Sequence, residues 1–376
     1  MSALAEHVEA LSLIDHHVHG AFVEDDDEAR LQSALNEASL APLTDPGSAW
    51  DSQVGFAVRR WCSELLDLPR HCAADKYWTR RAELGEAEVT RRFLRAAGVD
   101  AWLVDTGLPG GSLLGPPAMA AASQARAYEV VRLETVAEEL VAEPAGADDF
   151  VSRLGQRLAS PGPDVVAAKS VLAYRAGFDH DLSRPDDREV AAAAARWRDE
   201  SGMRIRLTDV TIMRFAIHAA LDGGLPLQLH TGFGDSDLRL DHANPALLTD
   251  FLRATASAGT PIVLLHCYPY EREAGYLAQA FEHVHMDVGL AVNFTGARSR
   301  EVVGRSLELA PFGKLLYSSD AAGPAELHHL GARLWRNAVT AVLDDWVDRD
   351  EWSAADARRV VTMIGRDNAR RVYGLA

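Results

Sequence analysis

Apolar runs of strand length recur along this 376-residue chain, and several end on a residue that can bind a metal. LSLIDHHVH ends in His-x-His, with His17 and His19. DVVAAK closes on Lys169, LPLQLH on His230, PIVLLH on His266 and KLLYSSD on Asp320. Successive strand side chains point to opposite faces, so His17 and His19 share one. Each run has about the length of a buried strand and stops at its polar residue. In a parallel barrel the C-terminal strand ends converge on one mouth, where active sites sit. The repetition along the chain points to one shared site.

The segments between these runs read as helices. Remaining strands are expected at DAWLVDTG (100–107), AYEVVRLE (127–134) and HVHMDVGLA (283–291), with KLLYSSD as strand eight. Alternating strands and helices predict an α/β chain folded as a (β/α)8 TIM barrel. One domain is expected over 1–376, with a helical insertion at about 20–95 and C-terminal helices at about 325–376. An insertion of that length at the active-site mouth is expected to form a lid or pocket wall. A Gly- and Pro-rich loop, LPGGSLLGPPA, joins strands two and three on the same side.

The hydrophobic share of 48% is ample for such a core, and a net charge of −17 argues against nucleic-acid binding. The three cysteines, Cys62, Cys72 and Cys267, form no C-x-x-C pair and no disulfide framework. The N-terminus lacks a basic segment followed by an apolar one, and no apolar run approaches the roughly 20 residues that span a bilayer. The expectation is a soluble, cytoplasmic protein with a small-molecule substrate, without nucleic-acid or membrane partners. Its oligomeric state, homo-oligomer included, stays open.

Neutral imidazoles and carboxylates are good ligands for zinc, manganese or iron, so His17, His19, His230 and Asp320 could hold one divalent ion. A carboxylate beside such an ion can also carry a proton from an activated water, a second role for Asp320. Lys169 has two readings. As an ammonium it would bind a substrate carboxylate; as a carbamate it would become an anionic, bridging ligand.

The chain resembles the amidohydrolase superfamily in its amidohydrolase-2 branch, similar to the amidohydrolase domain of FluG-type, glutamine-synthetase-linked proteins. The features carrying the resemblance are IDHHVH, AAKSVLAYRAGF, LQLHTGFGDSDLRL, NPALL, IVLLHCYPYEREAGYLA, LLYSSDA and the terminal NARRVYGL. It implies one ion on His17, His19 and Asp320, and a second on His230 and His266, bridged by a carbamylated Lys169. One-metal members typically use His-x-His, the strand-five histidine and the aspartate. Catalytic roles fall to Asp320 and His266, and the ion is zinc first, with manganese, iron or nickel as alternatives. Ala321 and the pair His328–His329 depart from the look-alike pattern, which puts substrate preference in question.

Tyr174 and Arg175 follow Lys169 and are candidates for binding a substrate carboxylate or carbonyl, since arginine's planar fork suits carboxylates. Asp235 and Asp237 follow His230 and are candidates for a substrate amine, or form a capped turn. Glu134 is expected at the end of strand three, inside the mouth. Arg272, between Glu271 and Glu273, reads as a solvated helix start, and His16 should point away from the metal. The leading function is metal-dependent hydrolysis of an amide C–N bond in a small carboxylated molecule, with γ-glutamyl amides implied by the resemblance. A non-oxidative decarboxylase or C–C lyase is the alternative, sugar-acid isomerisation a distant third, and a metal-binding scaffold without catalysis the non-enzyme reading.

Overall fold

The structure, a computed structural model, describes residues 2–24, 27–37, 43–108, 111–143, 149–200 and 205–376. Parts of the expected insertion (25–26 and 38–42) and of the Gly/Pro-rich loop (109–110) lie outside them. Seven strands form one sheet in sequence order: β1 (Leu13–Val18), β2 (Val99–Asp105), β3 (Arg126–Arg132), β4 (Val165–Ser170), β5 (Leu227–Thr231), β6 (Ile262–His266) and β7 (Val284–Met286). All six pairings are parallel. Helices connect the strands and cover the outer face of the curled sheet, while its inner face packs on itself, so the strands need no polar face. In β1, β5 and β6 every residue is buried.

Two expected strands differ from the sequence reading. β7 covers three residues only, ending before Asp287. KLLYSSD is not a regular strand but an extended segment, tied to both neighbours by scattered bonds. Leu316 N–H donates to Met286 of β7 (3.0 Å), and His16 and Asp320 N–H exchange bonds with this segment and β1 (3.3 and 3.1 Å). The eighth position of the α/β barrel is thus filled, but not by a ladder. A left-handed residue at Asp320 (φ 50°) interrupts the extended run just where it reaches the mouth.

Inside the barrel, Ile14, Leu103, Val130, Val263, Leu265 and Leu316 pack with Val372, Tyr373 and Leu375 in a cluster of their own. The helix Asn368–Tyr373 and the tail after it therefore fill the barrel's floor. Asn368 Nδ2 donates to the carbonyls of Phe312 and Leu315, both at 2.8 Å, and pins the start of the eighth segment.

The insertion after β1 is helical, with Gln53–Trp61, Ala74–Leu84 and Glu86–Ala96 among its elements. It is fixed to the long helix Ala325–Asp348 by the fully buried Glu326, which accepts from Tyr77 Oη (3.2 Å) and Arg81 Nε (2.8 Å). Cys62, Cys72 and Cys267 are free and buried. Among the described residues no helix is long and apolar enough to cross a membrane.

Candidate metal centre

The strand-end histidines meet Asp320 at the mouth. His17 Nε2 is 3.0 Å and His19 Nε2 3.7 Å from Asp320 Oδ1, while His266 Nε2 is 3.5 Å from Oδ2. Ligand atoms of His17, His266 and Asp320 lie within 4.8 Å of one another. His230 stands outside that trio but packs its ring on His266 at 4.6 Å. His266 (φ 70°), like Asp320, holds a left-handed backbone. For non-glycine residues this costs of order 1 kcal/mol or more and persists where surroundings over-determine the site.

Burial keeps the imidazoles neutral. It lowers His17, His230 and His266 well below the usual range and His19 to about 4, with Lys169 adding to the effect on the first two. The Asp320 carboxyl is pushed up to about 6, again chiefly by burial, against the pull of His19 and Lys169. His230 Nε2, both ring nitrogens of His266 and Asp320 Oδ1 are buried without a hydrogen-bond partner. Native interiors satisfy nearly all such atoms, so a cluster of orphaned polar atoms asks for a ligand. Neutral imidazoles around a carboxylate suit a divalent transition ion, and the donor set fits one.

Beside this cluster stands a charged corner that the sequence reading missed. Asp105, at the end of β2, takes Arg132 Nη2 (2.7 Å) and Nε (3.3 Å) on Oδ2, and Gly107 N–H (2.8 Å) on Oδ1. Lys169 Nζ lies 3.8 Å from the same Oδ2 and 3.1 Å from His17 Nε2. Burial alone would push the Asp105 carboxyl up, but Arg132, His19 and Lys169 hold it well below the usual carboxylate range. Burial also lowers Lys169. Asp105 therefore gives Lys169 an anionic partner that neither reading of the sequence contained. Asp105 also groups with His17 and His19 as a second set of ligand atoms. The signal was present, since WLVD and EVVR are apolar runs closing on a polar residue like the others.

A cavity of about 960 Å³ opens over the site, lined by His19, Lys169, His230 and Asp320. Tyr174, Arg175 and Asp235 line it too, with Arg132, Arg206 and Glu37. Tyr174 packs on His230 at 4.4 Å. At Gly234 a Cβ would stand 2.1 Å from the Tyr174 hydroxyl, so any larger residue there would displace that ring. Arg175 reaches Glu138 at 3.4 Å, and its Nη1 is buried without a partner. Asp235 accepts from Asp237 N–H in a turn, and Asp237 pairs with Arg206 at 2.8 Å. Glu37, from the insertion, has its carboxyl raised to about 8 by burial and by Asp320 and Asp235. Nothing in the sequence around it marks it.

Glu134 is not at the mouth. β3 ends at Arg132, and Glu134 lies in the first turn of the helix Leu133–Ala142, where its Oε1 accepts from Ser170 Oγ (2.7 Å) and Val171 N–H (3.0 Å). It braces the turn after β4 and does not line the cavity. His328 and His329 are also buried away from it. His328 Nε2 bonds the His19 carbonyl at 2.9 Å, and His329 packs on Phe93. Arg272 pairs with exposed Glu308, as a solvated helix start should. His16 turns from the cluster to Asp287, 2.7 Å away.

Comparison with known proteins agrees with this geometry. The sequence model of a family described as amidohydrolase matches residues 114–375. Protein fluG of Emericella nidulans is 32% identical over 228 residues, covering 57% of this chain and 26% of that protein. The chain thus spans about a quarter of the length of the curated relative it matches. A Lactobacillus casei protein described as a metal-dependent hydrolase superposes with a TM-score of 0.87 at 26% identity, over 100% of this chain and 98% of the other. A uronate isomerase from Bacillus halodurans shares the fold, with a TM-score of 0.65 at 13% identity over 99% and 96%.

Proposed function

The chain belongs to the amidohydrolase family and is an enzyme, and from that premise we propose that it hydrolyses the C–N bond of an amide in a small carboxylated molecule. The observation that carries this is the meeting of neutral His17, His19 and His266 with the Asp320 carboxylate, beside orphaned His230. His17, His19 and Asp320 would hold one divalent ion, with His230, His266 and Lys169 available to a second. When bound, a divalent ion supplies Lewis-acid polarisation of a carbonyl and acidification of water.

The residues themselves do the rest. Asp320, whose carboxyl burial raises to about 6 in the metal-free chain, accepts a proton from the attacking water and returns it to the leaving nitrogen. His266 is neutral and faces Asp320, so it can hold the tetrahedral oxygen or the water without competing for the proton. Arg175, with its free Nη1, suits a substrate carboxylate, while Asp235 and Glu37 suit an ammonium. A glutamyl head carries both charges on one carbon, which makes γ-glutamyl amides the first substrates to try.

The decarboxylase reading rests on one contact. A Lys169 ammonium already compensated by Asp105 can stay unmodified and bind a substrate carboxylate. A carbamate at Lys169 would instead turn toward the histidines and leave Asp105 to Arg132. Elemental analysis of protein prepared without chelator should find at least one zinc, manganese, iron or nickel per chain. Turnover of γ-glutamyl amides, released amine being measured, should vanish on chelation and return with metal. Loss of carbon dioxide from aromatic carboxylates, with no amide cleaved, would overturn the hydrolase reading.

A further inference from the structure

The terminal NARRVYGL takes no part in the chemistry above, yet its tyrosine stands inside the barrel beneath the site. Gln228 lies on β5 two residues before His230, so both face inward, one layer apart. Its Nε2 donates to the His16 carbonyl at 2.8 Å and to Tyr373 Oη at 2.9 Å. A main-chain carbonyl only accepts, which fixes the amide nitrogen on that side and the amide oxygen on the other. That oxygen, Oε1, is 2.8 Å from His17 Nδ1, which must therefore carry the hydrogen. His17 Nε2 is left as a bare lone pair, and it is the atom facing Lys169 and Asp320.

The chain of bonds continues in one direction. Tyr373 Oη accepts from Gln228 and so donates to His16 Nδ1 at 2.9 Å. His16 Nε2 then stands 2.7 Å from Asp287 Oδ2, as a close pair. Asp287 Oδ1 accepts the backbone N–H of His266 (2.7 Å) and of Gly289 (2.9 Å). The relay starts at one candidate ligand, passes through the C-terminal helix and ends on the backbone of another.

We propose that Gln228 and Tyr373 are positioning residues for the metal centre, holding His17 in the Nδ1–H tautomer through this buried relay. The proposal rests on the metal reading of the site given above, but the tautomer can be read without metal. Outer partners of ligating histidines typically contribute about 10- to 100-fold to metal affinity.

The test uses the full chain with zinc as the probe and chelator competition as the readout, alongside 15N NMR of the histidine side chains in metal-free protein. Tyr373→Phe should weaken zinc about tenfold, and Gln228→Leu by up to about 100-fold with loss of the His17 Nδ1–H signal. Gln228→Glu keeps an oxygen before Nδ1 and should retain affinity within a few fold, which also covers the case in which the leucine variant fails to fold. Val372→Ala, buried on the same helix but outside the relay, should lower stability and leave zinc affinity unchanged. Equal losses in Val372→Ala and Tyr373→Phe, or unchanged affinity in both Tyr373→Phe and Gln228→Glu with an altered His17 tautomer, would overturn the proposal. If the native chain binds no zinc, the metal reading fails separately. The relay then stands or falls on whether Gln228→Leu changes the tautomer of His17.

Discussion

The imidazole cluster and the charged corner beside it bury polar groups in opposite ways. Around Asp320, burial drives the groups toward neutrality: four histidines lose their protons and the carboxyl rises to about 6. Around Asp105, the charges stay and compensate one another through Arg132 and Lys169. The first arrangement leaves atoms unpartnered, and the second satisfies Asp105 on both oxygens. A site that waits for a ligand is incomplete without it, whereas an internal ion pair is complete already. Lys169 touches both, 3.1 Å from His17 and 3.8 Å from Asp105.

The largest expected effect separates the two groups by function. Asp320→Asn keeps the side-chain size and removes the charge needed for proton transfer and for an ion. Turnover should fall by roughly 10³-fold or more, since a positioned acid–base contributes about 10² to 10⁴. Circular dichroism should show the fold intact. A rate within tenfold of the native enzyme on a confirmed substrate would remove Asp320 from the mechanism.

Asp105→Asn should act on stability instead. It leaves Arg132 and Lys169 buried without their anion, and breaking one partner of a buried pair costs about 3–5 kcal/mol. The size of the loss also reports on Lys169. With an ammonium at 169 the full cost should appear, whether or not bicarbonate is supplied. With a carbamate at 169, only Arg132 loses its anion, and the loss shrinks when bicarbonate is present. Urea unfolding in the two buffers reads the difference.

The same contrast explains what was legible in the sequence. His17, His19, His230, His266 and Asp320 could be found because each ends an apolar run, and strand ends share one mouth. Asp105 and Arg132 obey the same rule, but the strand readings 100–107 and 127–134 ran two residues past them, which moved the strand ends onto Gly107 and Glu134. A period-2 pattern has no way of marking where a buried strand gives way to a helix turn. KLLYSSD read as a strand because its apolar residues are buried. Its backbone bonds are irregular, which composition does not reveal. Glu37 enters from the insertion, where no periodicity connects a loop residue to a distant mouth. Gln228 and Tyr373 were visible as letters within quoted motifs, but their role depends on a contact across 145 residues.

The smallest expected effect returns to Asp320 and reverses the usual sense of a loss of function. In metal-free protein its carboxyl is raised from 3.8 to about 6, mainly by burial. Above pH 6 both folded and unfolded chains hold the anion, and the folded state bears the cost of burying it. Between pH 6 and 4 the folded state takes up the proton first, so that cost is removed as pH falls; below about 4 both states are protonated and none is left. The shift corresponds to about 3 kcal/mol at most. Asp320→Asn buries no charge, so at pH 8 the chelated variant should be more stable than the chelated native chain. Its advantage should shrink between pH 6 and 4, and saturating zinc should reverse the order by stabilising the native chain more than the variant. Chelated denaturation curves at pH 8, 6 and 4 read this directly. An asparagine variant no more stable at pH 8 than at pH 4, relative to the native chain, would mean that the Asp320 anion is already compensated without metal. The division between a cluster that waits for a ligand and a corner complete in itself would then be lost.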